Sequence, residues 1–148
     1  DAPVLSVIDQ AILKDRWVGV KGEQTTHNGQ PVQTRPCNAL SEATCAITAP
    51  GMFDGYREGF INDLRNGFRF VAWGGDCISY GLLASAHLDA VVEANMQPYD
   101  YLACVPVIEG AGGFISDFEG HPLTLKSGGT VLALGDKALV EDVLKLIG

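Results

Sequence analysis

The sequence predicts an α/β fold, a three-layer α/β/α sandwich, on three observations. From the helical spacing of Tyr56 to Asn66 onward, short β-branched or apolar runs alternate with segments of helical spacing. Turn-forming pairs such as Pro50-Gly51 and Gly74-Gly75 punctuate that alternation. No internal repeat, low-complexity tract or Pro- or Ser-rich linker divides the chain, so residues 1–148 are expected to form a single domain.

The elements follow in order. Val4 to Asp9 and Arg16 to Lys21 read as strands, and Thr26 to Val32 contains Asn28-Gly29, a dipeptide that tolerates the positive φ angles of a tight turn. The first third is therefore strand-rich. Ala43 to Thr48 is a further strand, and Tyr56 to Asn66 has helical spacing with Phe60, Ile61 and Leu64 apolar. Phe68 to Ala72 predicts a strand, Cys77 to Ala86 a helix of small and apolar residues, and Leu88 to Val92 another strand. A helix over about Tyr99 to Gly110 is apolar on nearly all sides and so should be buried. Pro106 deletes one backbone donor there and should kink it. Strands at Phe114 to Ser116 and Val131 to Leu134 and a helix from Lys137 to Leu146 complete the series, with Asp117 and Glu119-Gly120 forming a turn.

Composition narrows the function. Lys plus Arg number 10 against 18 Asp plus Glu, a net charge of -8, which argues against nucleic acid or an anionic membrane as partner. No apolar run approaches the roughly 20 residues that a bilayer helix requires. Cys37, Cys45, Cys77 and Cys104 include no C-x-x-C pair, and they read as reduced, mostly buried thiols of a cytoplasmic protein. His27, His87 and His121 are scattered without metal-ligand spacing. Trp17 and Trp73 read as packing residues.

Chemistry concentrates in Gln97 to Gly113, Q-P-Y-D-Y-L-A-C-V-P-V-I-E-G-A-G-G, which sets Asp100 at the mouth of a buried helix. Capping of the helix start would by itself explain a carboxylate there. The whole string, with its aromatic-Asp pair, small-residue helix and E-G-A-G-G, resembles the second signature of the inositol monophosphatase family. The likeness covers nearly the whole chain, from P-V-L-S-V-I-D-Q and R-W-V-G-V through W-G-G-D-C to I-S-D-F-E-G-H-P-L. V-P-V-I-E-G-A-G-G looks closer to that family's histidinol-phosphate phosphatases.

The resemblance implies the carboxy-terminal domain of the family fold, Mg2+ as cofactor with Asp100 as a metal ligand, and metal-assisted hydrolysis of a phosphorylated alcohol. It also implies a homodimer. The family's first signature, D-P-x-D-G-T, does not occur, nor do the upstream glutamates that accompany it. The chain is thus expected to be the carboxy-terminal half of a catalytic unit, starting mid-protein at Asp1 and needing an amino-terminal half to complete the metal site. Alone it should bind metal weakly and hydrolyse little.

Counted from Gly74 to Asp100, the spacing matches the inositol enzymes without a gap. That resemblance puts Gly74, Gly75 and Asp76 where those enzymes contact the substrate ring, and Glu93 at their substrate-binding glutamate. The residues themselves also allow a tight turn with Asp76 as helix cap, and a surface pair between Glu93 and a base such as Arg69. Two carboxylates in one pocket favour a cationic alcohol, which points to histidinol phosphate as substrate. Inositol 1-phosphate hydrolysis is the alternative enzymatic expectation, and a non-catalytic small-molecule binding domain is a third.

Overall fold

The computed structural model describes residues 2–148. Its first sheet is a four-stranded antiparallel meander. Strands β1 (Leu5–Gln10) and β2 (Asp15–Val20) pair with Val7 opposite Val18 and Ile8 opposite Trp17. Strands β3 (Thr26–His27) and β4 (Gln30–Pro31) close around Asn28 and Gly29, both at positive φ, as the Asn-Gly dipeptide predicts. β1 alternates strictly: Ser6 and Ile8 are buried, while Leu5, Val7 and Asp9 face outward.

The second sheet has the order β6-β5-β7-β9-β8. It comprises β5 (Thr44–Ile47), β6 (Phe70–Trp73), β7 (Ala90–Glu93), β8 (Phe114–Ser116) and β9 (Val131–Leu134). β5 pairs in parallel with β6 and β7, whereas β9 runs antiparallel to β7 and β8. Central strands covered on both faces should be apolar almost throughout, and β7 and β9 are buried at every position.

Helices cover both faces. Cys45, Ile47, Val92, Leu132 and Leu134 pack with Phe60 and Leu64 of α1 (Phe60–Gly67) and Val143 and Ile147 of α5 (Val140–Ile147). The alternate residues Ala46, Val91, Val131 and Ala133 join Tyr80 and Leu83 of α2 (Asp76–Ala84) and Val107 and Ile108 of α4 (Val105–Gly110). The expected α/β/α sandwich is therefore built from residues 44 to 147. The strand-rich opening third stacks on its α2 and α4 layer as a fourth layer.

Small residues permit that stacking. A Cβ at Gly81 of α2 would stand 2.6 Å from carbons of the buried Trp17 ring, so only glycine lets the helix lie against it. The Trp17 indole N–H reaches across to donate to Ser85 Oγ at 2.8 Å, and the Thr25 hydroxyl donates to the Val107 carbonyl at 2.7 Å. Trp17 is thus a core residue, as expected, while Trp73 is partly exposed on the edge strand β6.

Several boundaries differ from expectation. The helix expected over Tyr99 to Gly110 is two, α3 (Pro98–Tyr101) and α4, because Pro106 lacks the N–H that would continue the hydrogen-bonded ladder. α1 begins four residues later than the spacing suggests, since Gly59 at positive φ stands directly before its first turn. The last helix is preceded by a separate 3-10 turn at Lys137–Leu139, capped by Asp136 Oδ1 accepting from the Ala138 N–H. Asp117 Oδ1 accepts the N–H groups of Glu119 and His121, forming the expected turn.

Candidate active-site cavity

The carboxyl ends of the three parallel strands open on one side, where open α/β sheets hold their ligands. Thr48 follows β5, Asp76 follows β6 and Glu93 ends β7. These three, with Asp100 of α3, line one cavity of about 550 Å³. Outward-facing Val7 and Asp9 of β1 form another wall, and Tyr80, Asn95 and Tyr99 contribute further surface.

Glu93 is only 1% exposed. Its parity along β7 matches Val91, turning it toward the α2 layer, where Tyr80 Oη donates to Oε2 at 2.7 Å. The Thr48 hydroxyl donates to Oε1. No pair with Arg69 forms. Burial pushes the Glu93 carboxyl above its ordinary value, nearby Asp76 and Asp100 push it the same way, and the two hydroxyls oppose them in part. Burial likewise raises the Tyr80 phenol, so it remains a donor.

Asp76 arrives by an unusual backbone. Gly74, Gly75 and Asp76 have φ of 85, 100 and 43 degrees, and Asp is among the few side chains that visit this region. Gly75, not Asp76, precedes the first turn of α2, and no side chain caps it. Asp76 is exposed and takes no hydrogen bond among the described residues, so its charge is not spent on helix capping. Gly74 and Gly75 do not line the cavity. They make the turn that carries Asp76 to it, tied down by the Gly74 N–H donating to the carbonyls of Ile47 and Thr48.

Asp100 does act as a cap: its Oδ2 accepts the Gln97 N–H at 2.9 Å. Oδ1 takes no hydrogen bond among the described residues. The cavity lining thus carries carboxylate oxygens from Asp9, Asp76, Glu93 and Asp100 and no Lys, Arg or His. That donor set suits a hard cation, which prefers oxygen ligands.

Sequence reasoning missed Asp9, Thr48 and Tyr80. Strict alternation along β1 could have placed Asp9 on the same face as Val7. Nothing local marks Thr48 or Tyr80, which meet Glu93 only through the sheet order. A second cluster, of two carboxylates and an imidazole from Asp117, Glu119 and His121, lies in the turn after β8 and does not line this cavity.

The description "Inositol monophosphatase family" matches residues 1–147. The chain belongs to the inositol monophosphatase family. A bifunctional phosphatase IMPL2, chloroplastic, of Arabidopsis thaliana is 39% identical over 150 residues, covering 97% of this chain and 43% of that protein. A histidinol-phosphatase of Chlorobaculum parvum is 28% identical, covering 97% of this chain and 55% of the relative. The fold superposes on an inositol monophosphatase from Zymomonas mobilis with a TM-score of 0.95 and 43% identity, over 99% of this chain and 58% of that one. The chain therefore spans about half the length of these family members. No helix among the described residues is long and apolar enough to cross a membrane.

Proposed function

We propose that the protein containing this chain is a Mg2+-dependent phosphomonoesterase that hydrolyses histidinol phosphate to histidinol and phosphate. The observation that carries the reading is the gathering of Asp76, Glu93 and Asp100 around one cavity without a basic side chain. Such a wall repels a phosphate monoester unless cations intervene, and it attracts a positively charged alcohol. Histidinol offers an ammonium and an imidazole, and a charge-assisted hydrogen bond to either is worth more than one to a neutral hydroxyl. The curated histidinol-phosphatase relative supports the same substrate.

In this reading Asp100 is a metal ligand and Asp76 and Glu93 bind the alcohol, with Gly74 and Gly75 setting the backbone that presents Asp76. Bound Mg2+ would polarise the phosphoryl oxygens and supply an activated water. Asp100 holds its carboxylate still through the Gln97 cap, while Glu93, fixed by two hydroxyls, accepts hydrogen bonds from the leaving alcohol. The remaining ligands and the water-activating groups belong to an amino-terminal half, and the assembled enzyme is a cytoplasmic homodimer.

Inositol 1-phosphate is the second reading, favoured by the 43% identity to the Zymomonas mobilis enzyme. Phosphate release by the full coding chain with Mg2+ separates the two. Faster turnover of histidinol phosphate at low substrate is expected, and a preference for inositol 1-phosphate would remove the histidinol assignment.

A further inference from the structure

We propose that Tyr80, together with Thr48, is a positioning residue that fixes Glu93 as the acceptor for the alcohol part of the substrate. This rests on the reading above only in placing the alcohol against Glu93. It does not depend on which alcohol binds.

The geometry carries the inference. Tyr80 is fully buried on α2, in the apolar layer between the two sheets, where a phenylalanine would fill the same space. A phenol in such surroundings is costly unless its hydroxyl is bonded, and this hydroxyl donates to Glu93 Oε2 at 2.7 Å. Thr48, from a different element, donates to Oε1. Each carboxylate oxygen is thereby held from the protein side by one donor, while the carboxylate retains further acceptor sites for a ligand in the cavity that Tyr80, Thr48 and Glu93 all line.

Two donors on two oxygens set the plane of the carboxyl group, so a substrate need not pay to order it. Thr48 also couples Glu93 to the neighbouring recognition residue. Its carbonyl accepts from the Gly74 N–H at 3.1 Å, which anchors the turn leading to Asp76. Movement of Thr48 would displace both walls together.

The test compares Tyr80→Phe, Thr48→Val and Thr48→Ser in the full coding chain with Mg2+, using whichever phosphate ester the unaltered enzyme prefers. Tyr80→Phe and Thr48→Val are expected to raise KM about three- to tenfold, as leaving the substrate to order one side chain should, with kcat changed less than about twofold. Thr48→Ser keeps the hydroxyl and should restore the original KM. Thermal unfolding followed alongside identifies any loss of folded protein, which would lower apparent kcat and leave KM unchanged. Unaltered KM in both Tyr80→Phe and Thr48→Val, or a fall in kcat alone, overturns the proposal. A parent enzyme that prefers inositol 1-phosphate defeats the histidinol reading while the same KM comparison still decides the role of Tyr80. Turnover of neither ester defeats both.

Discussion

Arg35 grips the buried carboxylate of Asp89 with both arms, Nε to Oδ1 and a terminal guanidinium nitrogen to Oδ2, each at 2.7 Å and 54 residues apart in sequence. Asp89 stands just before β7 and also accepts the Thr44 N–H at 2.8 Å, so one carboxylate joins the start of β5, the start of β7 and the incoming loop. The opposite end of β7 carries Glu93. Burial works against ionisation of Asp89, but the Arg35 fork and the Thr44 N–H outweigh it and hold the carboxyl below its ordinary value. A carboxyl depressed in the folded state contributes stability that is present above its unfolded value and is lost as pH falls through the folded one. The chain is therefore expected to lose stability on acidification below about pH 4. Arg35→Met, which leaves the buried Asp89 carboxylate with the Thr44 N–H as its remaining partner, should cost about 1–3 kcal/mol in urea unfolding at pH 7, less than a fully buried pair because Arg35 is half in solvent, and the acid-side slope should flatten. An unchanged midpoint would show that Arg35, which is partly exposed, contributes little.

Close approach of α2 to Trp17 makes an opposing pair of effects measurable. Helix propensity favours Gly81→Ala by about 1 kcal/mol. The added Cβ would stand 2.6 Å from the indole, and overpacking of this kind costs about 1–3 kcal/mol. Because Trp17 is held from both sides, by its bond to Ser85 and its stacking on His27 at 4.4 Å, the clash should win. A lower thermal midpoint for Gly81→Ala is the expected outcome. A higher one would mean that the sheet slides over the helix at little cost.

These two cases mark where sequence reading succeeds and stops. Asn28-Gly29, the apolar runs of β5, β7 and β9, and the break at Pro106 are local physics and were legible one segment at a time. Asp76, Glu93 and Asp100 were grouped by a family resemblance and not by any local pattern; in the structure they line one cavity. The Arg35 fork on Asp89 and the Tyr80 bond to Glu93 were not legible, because both depend on strand order. The turn at Gly74-Gly75 was legible, but that it carries Asp76 to the cavity was not, since glycine in a turn and glycine against a ligand look the same in sequence.

Asp100 combines two roles that one substitution can separate. Asparagine keeps an oxygen that accepts the Gln97 N–H, so Asp100→Asn should preserve the helix cap and the fold. It removes the charge that a divalent cation needs. The full coding chain carrying Asp100→Asn is expected to need far more Mg2+ for half-maximal activity, beyond the roughly 10- to 100-fold typical of losing a partner behind a ligand. Stabilisation of the protein by Mg2+ in thermal unfolding should fall in parallel. If both Mg2+ titrations are unchanged, Asp100 is a cap alone.

Specificity for a cationic alcohol turns on Asp76, and its backbone dictates which variant to make. At φ 43 degrees, alanine would introduce strain of its own, whereas asparagine tolerates the left-handed region as aspartate does. Asp76→Asn therefore removes charge with little change of shape. It also removes one of the two neighbouring carboxylates that help push Glu93 up, so the folded protein should be no less stable than before. Against that background, KM for histidinol phosphate is expected to rise about tenfold while KM for inositol 1-phosphate changes less than about twofold, the difference expected of one partly screened charge pair. Equal changes on both substrates would mean that Asp76 shapes the cavity without reading charge, and the cationic selectivity would then have to rest on Glu93 alone.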